Sequence, residues 1–208
     1  MKITPKGARR MRRAITALAV AAAVAGAGLL AYPFATDLWA ARLQSGLVAG
    51  LANADEYRQG NVKSGEALTR LEIPRLDVDV IVVEGTSLAA LRAGAGHYPR
   101  TPLPGEKGNV AIAGHRTTYG RPFNRLDELR PGDKVILTTP LARHTYEIIA
   151  EPWVVDPTDW SPIDSYPRSG SFLTLTTCHP EGSATQRIVT RAALIKTTDT
   201  IAMERAAS

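Results

Sequence analysis

The segment that most constrains the fold is FLTLTTCHPEGSATQRIVTRAALI, residues 172–195. Apolar and polar residues alternate at both of its ends, and a short polar loop joins the two runs, which is typical of a β-hairpin. The only cysteine, Cys178, closes the first run, and Arg187 opens the second. Neighbouring strands lie about 5 Å apart, so the hairpin predicts that this thiol and this cation lie side by side.

This pairing makes Cys178 a candidate nucleophile. The thiolate is the reactive form of cysteine, and a nearby cation favours it. A free cysteine without such a neighbour is often an inert, buried side chain. Cys178 stands at the end of a strand beside polar loop residues, which favours an accessible thiol.

Positive charge is concentrated at the N-terminus. Six of the 25 Lys and Arg residues precede residue 14. The rest of the chain has 19 basic and 20 acidic side chains, so the positive formal charge of +5 comes from the N-terminal tail. A nucleic-acid-binding domain carries its basic patch on its folded part. The charge pattern therefore excludes a nucleic-acid partner.

Residues 14–34 form an uncharged, apolar run that predicts a transmembrane anchor, because about 20 such residues span a bilayer. Basic residues in the 1–13 tail and Asp37 beyond the run predict a single-pass protein of the cell membrane, with a cytoplasmic N-terminus and an extracellular C-terminal domain. The alternative is a signal peptide cleaved after Ala27. Both interpretations predict that the C-terminal domain lies outside the cell.

Residues 35–66 are predicted to form a stalk helix and a linker. Leu43 and Leu47 recur there at helical spacing, and Thr36 is a candidate N-cap. A polar, Gly-containing stretch follows the helix. We expect the catalytic domain to span residues 67–197.

The catalytic domain is predicted to be all-β, a barrel or a sandwich, with a C-terminal tail at residues 198–208. Short strand-like runs are separated by turn residues throughout it. The runs are LTRLEIP, VDVIVVEG, NVAIAGH, KVILTT, TYEIIAEPWVV, FLTLTTC and RIVTRAALI. SLAALRAG predicts one short helix with Ser87 as its cap, and PFNRLDEL predicts a turn or a single helical turn.

His115 is the best candidate for an acid–base partner of the thiol. It follows a buried-looking strand and precedes a loop, as catalytic residues often do. His179 is next to the cysteine in sequence, which in a strand directs it to the opposite face. His97 and His144 are assigned packing or surface roles. No Cys or His pair has metal-ligand spacing, and no acidic cluster suits calcium, so we expect no metal and no cofactor.

Several motifs together make the chain resemble the sortases, cysteine transpeptidases of Gram-positive cell surfaces. The first are TLTTC at the end of a strand, an Arg nine residues after the cysteine, and AGHR after an earlier strand. GHYP, PGEKGNVAIAGHR, PFNRLDEL and PGD extend the match, in family order, from Leu68 to Lys196. TTYG after His115 and CHP after Thr177 are most similar to class E of high-GC bacteria, with class D as neighbour.

The resemblance implies a β-barrel of eight strands with short helices, preceded by the transmembrane helix. It implies that Cys178 attacks the carbonyl between Thr and Gly of an LAxTG- or LPxTG-like sorting motif, forming a thioester. His115 would protonate the leaving amine and deprotonate the incoming one, and Arg187 would bind the developing oxyanion. The implied partners are surface proteins that bear the motif, and an amine of the peptidoglycan stem or its lipid-linked precursor.

Three further residues are candidate substrate-binding positions. Tyr119, four residues after His115, could reach the second residue of the motif and favour LAxTG over LPxTG, although an aromatic that packs a loop would look the same. Thr176 and Thr177 would support the site through their hydroxyl groups, although strand packing also explains threonine there.

Other functions remain open at the level of sequence. A pilin-polymerising sortase would use a pilin lysine as acceptor, and a catalytically silent binding module would hold the sorting peptide without cleaving it. A cysteine protease shares the acyl-enzyme and differs in resolving it with water. An L,D-transpeptidase also uses a cysteine, but there a His precedes it, whereas here Thr177 does.

Overall fold

The computed structural model describes residues 5–52, 54–164 and 169–199. Its longest element is a helix of 43 residues, α1 (Pro5–Leu47), which contains the uncharged run predicted at residues 14–34. Among the described residues one helix, Arg9–Leu47, is long and apolar enough to cross a membrane, judged by length and composition.

The helix α1 runs without a break through the predicted start of the stalk helix. The prediction of Thr36 as an N-cap is wrong, because a capping hydroxyl accepts a bond from the backbone of the following turn. The Thr36 hydroxyl instead donates to the carbonyl of Pro33, one turn earlier, at 2.8 Å. A 3-10 turn (Val48–Ala52) and the short helix α2 (Ala54–Arg58) follow α1.

Nine strands occur within the described ranges, and a short helix, α3 (Leu88–Ala93), connects two of them. The Ser87 side chain accepts a hydrogen bond from the amide of Ala90 at 3.2 Å, so the predicted cap is confirmed. PFNRLDEL contains a single 3-10 turn, Leu126–Glu128. The strands are β1 (Ala67–Ile73), β2 (Val78–Glu84), β3 (Ala95–His97), β4 (Gly108–Ala113), β5 (Lys134–Thr138), β6 (Ala142–Ile148), β7 (Trp153–Val155), β8 (Ser171–His179) and β9 (Gln186–Asp199).

Eight of these strands close into a barrel in the order β6-β5-β1-β2-β3-β4-β8-β9, and β6 pairs with β9 to complete it. The expected eight-stranded barrel is confirmed. The long strand β9 makes closure possible, because one edge pairs with β8 while the other pairs with β7 and then β6. The strand β7 is thus an addition outside the barrel.

Two strands differ from the predicted runs. TYEIIAEPWVV is split into the end of β6 and all of β7, and Pro152, which has no amide hydrogen for a ladder, stands just before β7. The three-residue strand β3 was not predicted, because it is short and contains Gly96, and glycine has low strand propensity.

Alternation along β8 decides which side chains reach the barrel surface. Leu173 and Leu175 belong to the apolar core inside the barrel. Since successive side chains point to opposite faces, Thr174, Thr176 and Cys178 lie on the outer face. The same rule puts Ile188 of β9 inside, where it joins the core.

Candidate active site

The pairing of β8 with β9 sets Cys178 directly opposite Arg187. Residues opposed in an antiparallel pair have their side chains on the same face, with Cβ atoms about 4.5–5.5 Å apart. Cys178 is a free thiol and is partly exposed. Arg187 is also partly exposed, and its Nη1 donates to the carbonyls of Ala184 and Gln186, both at 2.9 Å.

The pairing of β4 with β8 brings His115 to the same end of the barrel. These strands are parallel, with Ala113 beside Thr176. One residue further on, the Gly114 amide donates to the Thr176 carbonyl at 3.1 Å, and the Thr177 hydroxyl donates to the Gly114 carbonyl at 2.7 Å. His115, two residues beyond Ala113, therefore lies at the level of Cys178, the last residue but one of β8.

Glycine is required at position 114. A Cβ atom there would lie 2.6 Å from the ring of Phe123, which is fully buried. The chain returns to this point after the loop, because the Phe123 amide donates to the His115 carbonyl at 3.2 Å. His115 is thus held from both sides of its backbone.

The surroundings of the His115 imidazole favour its neutral form. Burial lowers its pKa, and the positive charge of Arg92 lowers it further. The Nε2 atom is buried and has no hydrogen-bond partner among the residues that the structure describes. An unpaired buried polar atom is uncommon in a folded protein, and functional sites are one place where such atoms occur.

Tyr119 lies against His115, with ring centroids 5.3 Å apart and planes tilted by 35°. The guanidinium of Arg92 lies over the ring of Tyr119, 5.7 Å from its centroid. Both side chains also line a small cavity with Tyr32, Thr36 and Trp39 of α1. The aromatic side chain thus connects His115 to α3 and to α1.

The two candidate threonines lie on different faces of β8. Thr176 is on the outer face with Cys178, and its hydroxyl lies 3.3 Å from the hydroxyl of Tyr98. Thr177 is on the inner face and only 2% exposed, and its hydroxyl is engaged with the Gly114 carbonyl. Thr176 therefore borders the surface beside the thiol, whereas Thr177 supports the backbone that carries His115.

Two aromatic residues that the sequence reasoning did not single out border the same outer face. The ring of Tyr98 packs edge-on against Trp160, with centroids 6.4 Å apart. Trp160 is 60% exposed, which is unusual for so large an apolar side chain. Tyr98 stands in the GHYP motif, and this was the signal that could have identified it.

The segment before β8 is fixed to the barrel by hydrogen bonds to its backbone carbonyls. The Asp164 carbonyl accepts one from Asn109 at 3.1 Å, and the Pro162 carbonyl accepts three. These three come from Asn109 at 3.0 Å, from Thr174 at 3.1 Å and from Arg191 at 2.6 Å. These donors come from β4, β8 and β9. The contacts hold the segment that carries Trp160 against the barrel.

Arg116 and His179 form a second pair next to the first. Each follows one of the candidate catalytic residues, and Arg116 Nη1 lies 3.0 Å from His179 Nδ1. Arg116, only 6% exposed, also forms an ion pair with Asp127 at 3.0 Å. The prediction that His179 does not face the thiol is consistent with this contact, which ties the end of β4 to the end of β8.

The remaining histidines lie elsewhere in the barrel. His97 is buried and lies 2.7 Å from a carboxylate oxygen of Glu84. His144 is buried, lies 3.1 Å from the Thr197 hydroxyl, and has a pKa lowered by burial. Across the ranges that the structure describes, no group of three or more His, Cys, Asp or Glu residues could hold a metal ion.

Comparison with known sequences gives consistent matches. The family model described as the sortase domain matches residues 71–195. Sortase SrtE1 of Streptomyces coelicolor is 34% identical in an alignment 143 residues long, which covers 62% of this chain and 41% of that protein. Sortase D of Bacillus subtilis is 36% identical over 130 residues, 61% of this chain and 63% of its own length. The match thus spans less than two thirds of either relative.

A solved structure is similar as well. Sortase E from Streptomyces avermitilis is 40% identical, with a TM-score of 0.62, over 67% of this chain and 95% of that chain. The residues that the family model matches, 71–195, lie within the part of the chain that forms the β-barrel.

Proposed function

The chain belongs to the sortase family of cysteine transpeptidases, and on that premise we propose that the outer face of β4, β8 and β9 transfers an acyl group from a sorting signal to an amine. The observation that carries the proposal is the register of one ladder, in which Cys178 opposes Arg187. The adjoining strand β4 delivers His115 to the same end.

In the first step the Cys178 sulfur attacks the carbonyl of the Thr–Gly bond in a sorting motif of the LAxTG or LPxTG kind. His115, which is neutral at pH 7 because its pKa is lowered, accepts the thiol proton and passes it to the departing glycine amine. The C–N bond breaks and a thioester to Cys178 remains. The unpaired Nε2 atom is the group available for this proton.

In the second step an amine attacks the thioester. His115 removes a proton from the amine, the new C–N bond forms as the C–S bond breaks, and His115 returns the proton to the sulfur, so that the Cys178 thiol and the neutral imidazole are both regenerated. The acceptor is an amine of the peptidoglycan stem peptide or of its lipid-linked precursor. The acceptor amine and water compete for the same thioester. The access of each to Cys178 therefore decides how much product is hydrolysed and how much is ligated.

Arg187 stabilises the oxyanion that develops in both steps. Its charge is permanent, and its planar guanidinium presents several donors at once. Nη1 is occupied by the carbonyls of Ala184 and Gln186, which fix the orientation of the guanidinium beside Cys178. The other donors of the guanidinium are assigned to the substrate carbonyl.

The sorting peptide lies along the outer face beside Thr176, Tyr98 and Trp160. Thr176 borders the peptide, and Thr177 acts one layer further in by holding Gly114. Tyr119 is assigned to the second residue of the motif and to a preference for LAxTG, because its ring stands next to His115.

We further propose the arrangement of the chain at the membrane. Residues 1–13 are cytoplasmic, residues 14–34 cross the bilayer once, and residues 35–66 lead to an extracellular catalytic domain at 67–197, with a tail at 198–208. The basic tail before the apolar run supports this orientation.

The test uses the full chain in detergent micelles with LAxTG and LPxTG peptides and a simple amine, and mass spectrometry to detect products and the thioester. We expect cleavage between Thr and Gly, ligation of the amine, and a thioester on Cys178, all absent in Cys178→Ala. The ratio of the two peptide rates assigns the motif. A folded protein that cleaves neither peptide would contradict the proposal.

A further inference from the structure

The helix that contains the candidate membrane span also contacts the loop that carries His115. We define the docking segment as residues 36–44 of α1, and the His115 loop as residues 115–121. Two side chains of the docking segment accept hydrogen bonds from loop amides: Thr36 Oγ1 from Tyr119 at 3.3 Å and Asp37 Oδ1 from Gly120 at 2.8 Å. The other oxygen of Asp37 pairs with Arg121 at 3.0 Å.

The docking segment is itself fastened to the barrel by Gln44. Its side-chain oxygen accepts from the Ile81 amide at 2.6 Å, and its amide group donates to the carbonyls of Ile81 at 3.0 Å and Ala93 at 2.6 Å. Ile81 lies just before the point where β2 begins to pair with β3. The Gln44 side chain therefore makes the hydrogen bonds to Ile81 that a longer β3 would make. Gly94 leaves room for this, because a Cβ there would lie 2.3 Å from Gln44.

One side of the helix faces the domain. Thr36, Ala40 and Gln44 are spaced by four residues and so lie on one face, and the first two are 7% and 2% exposed. Exposed apolar residues, Phe34, Leu38 and Trp39, occupy other positions of the same helix. The contact is therefore specific to one face and fixes the rotation of α1 about its axis.

The conformation of the His115 loop depends on this contact. Tyr119, Gly120 and Arg121 have φ values of 54°, 79° and 47°, so three successive residues are left-handed. Two of them carry a Cβ, for which this region is unfavourable. Thr36 accepts from the amide of Tyr119, and Asp37 accepts from the Gly120 amide between the two strained residues and pairs with the Arg121 side chain. These contacts compensate the strain.

We propose that Asp37 is a positioning residue for the reaction, and that α1 is a structural part of the active site as well as its tether. Through Gly120 and Arg121, Asp37 holds Tyr119 against His115 and so fixes the imidazole relative to the thiol. The effect on rate rests on the function proposed above, whereas the effect on the loop does not.

The experiment compares Asp37→Ala with Asp37→Asn in the full chain in detergent micelles. The Ala variant removes both the amide acceptor and the ion pair, whereas Asn keeps an oxygen for the Gly120 amide. The matched control is Glu147→Ala, which removes a partly exposed carboxylate from an ion pair with Lys134 between β5 and β6. Thr36→Val serves as an independent variant that removes the acceptor for the Tyr119 amide, together with the hydroxyl bond to the Pro33 carbonyl within α1.

The first readout is hydrogen exchange of the peptide that covers the His115 loop, which does not require activity. We expect faster exchange in Asp37→Ala and, to a smaller extent, in Thr36→Val. Asp37→Asn and Glu147→Ala should match the unsubstituted chain. Unchanged exchange in Asp37→Ala would overturn the inference.

The second readout is kcat/KM for the better sorting peptide, with the melting temperature as a check on folding. Asp37→Ala should lower kcat/KM by about tenfold, since small misplacements of catalytic groups cost one to two orders of magnitude, and Asn should restore most of it. A loosened loop with undiminished kcat/KM would overturn the positioning role and leave the proposed function intact. An inactive unsubstituted chain that still shows the exchange difference would overturn the proposed function and leave the contact between helix and loop standing.

Discussion

The two halves of the candidate site are held in place by different means. On one side, Cys178 and Arg187 are opposed residues of a single antiparallel ladder, so their separation follows from regular strand geometry. On the other side, His115 lies beyond the end of β4 and is held by Gly114, Thr177, Phe123 and the contacts of the His115 loop. The Cys178 side is fixed by backbone regularity, and the His115 side by individual tertiary contacts.

This difference predicts how each side responds to substitution. On the ladder side the backbone tolerates a changed side chain, so a substitution there tests the chemistry of that side chain. On the His115 side, substitutions of residues that never touch the substrate should alter activity as well. The predictions below separate the two responses.

The largest effect is expected on the ladder side, for Arg187→Lys. Lysine keeps the charge and loses the planar set of donors, so kcat/KM should fall by about 100-fold, in line with the loss of an oxyanion donor. Stability should be unchanged, since Arg187 is partly exposed and its side chain bonds only to carbonyls one and three residues before it. Steady-state kinetics and thermal melting measure the two quantities.

The control for Arg187 is Gln186→Ala, one residue away and directed to the other face of β9. It should retain full activity. Equal activity of Arg187→Lys and the unsubstituted chain would show that charge alone suffices, and the oxyanion role of the guanidinium fork would be wrong.

The intermediate effect concerns Thr177, on the His115 side. Thr177→Val keeps the shape of the side chain and removes the buried bond to the Gly114 carbonyl, which should cost about 1 kcal/mol of unfolding free energy. Because Gly114 precedes His115, kcat/KM should also fall several-fold. Urea unfolding and kinetics measure these changes.

A matched control exists in the same barrel. Thr190 is also fully buried, and its hydroxyl has no partner among the described residues. Thr190→Val should therefore be neutral or stabilising, because it removes an unpaired polar group. Equal losses for the two variants would mean that the bond to Gly114 contributes nothing specific.

The same contrast explains what the sequence could predict. Alternating residues and a short loop suffice to place Cys178 opposite Arg187, because hairpin register follows from local pattern. The closed barrel is confirmed, but its strand count came from a family resemblance. Seven runs were visible, and β3 was hidden by its length and its glycine.

The other side of the site depends on contacts between residues far apart in the chain. The bond from Gly120 to Asp37 joins residues 83 positions apart, and the one from Thr177 to Gly114 joins residues 63 apart. No local pattern encodes such pairs. The continuation of α1 past Pro33 also went against local rules, because proline usually ends or kinks a helix, and tertiary contacts at Ala40 and Gln44 favour its continuation.

The smallest expected effect concerns the charge that acts on His115. Burial is the larger cause of its lowered pKa and Arg92 the smaller, so Arg92→Leu should raise the pKa while leaving it below the ordinary value of about 6.5. A lowered pKa in the folded state means that the unfolded chain binds the proton first. The contribution of His115 to stability is therefore present above pH 6.5 and is lost as the pH falls below it, and Arg92→Leu should reduce this loss.

The chemical shift of the His115 ring, followed by NMR as a function of pH, measures this pKa. The control is Arg143→Leu, which removes a cation paired with Glu72 on the barrel and should leave the pKa of His115 unchanged. A pKa that does not move in Arg92→Leu would assign the whole shift to burial, and packing alone would then set the pKa on the His115 side.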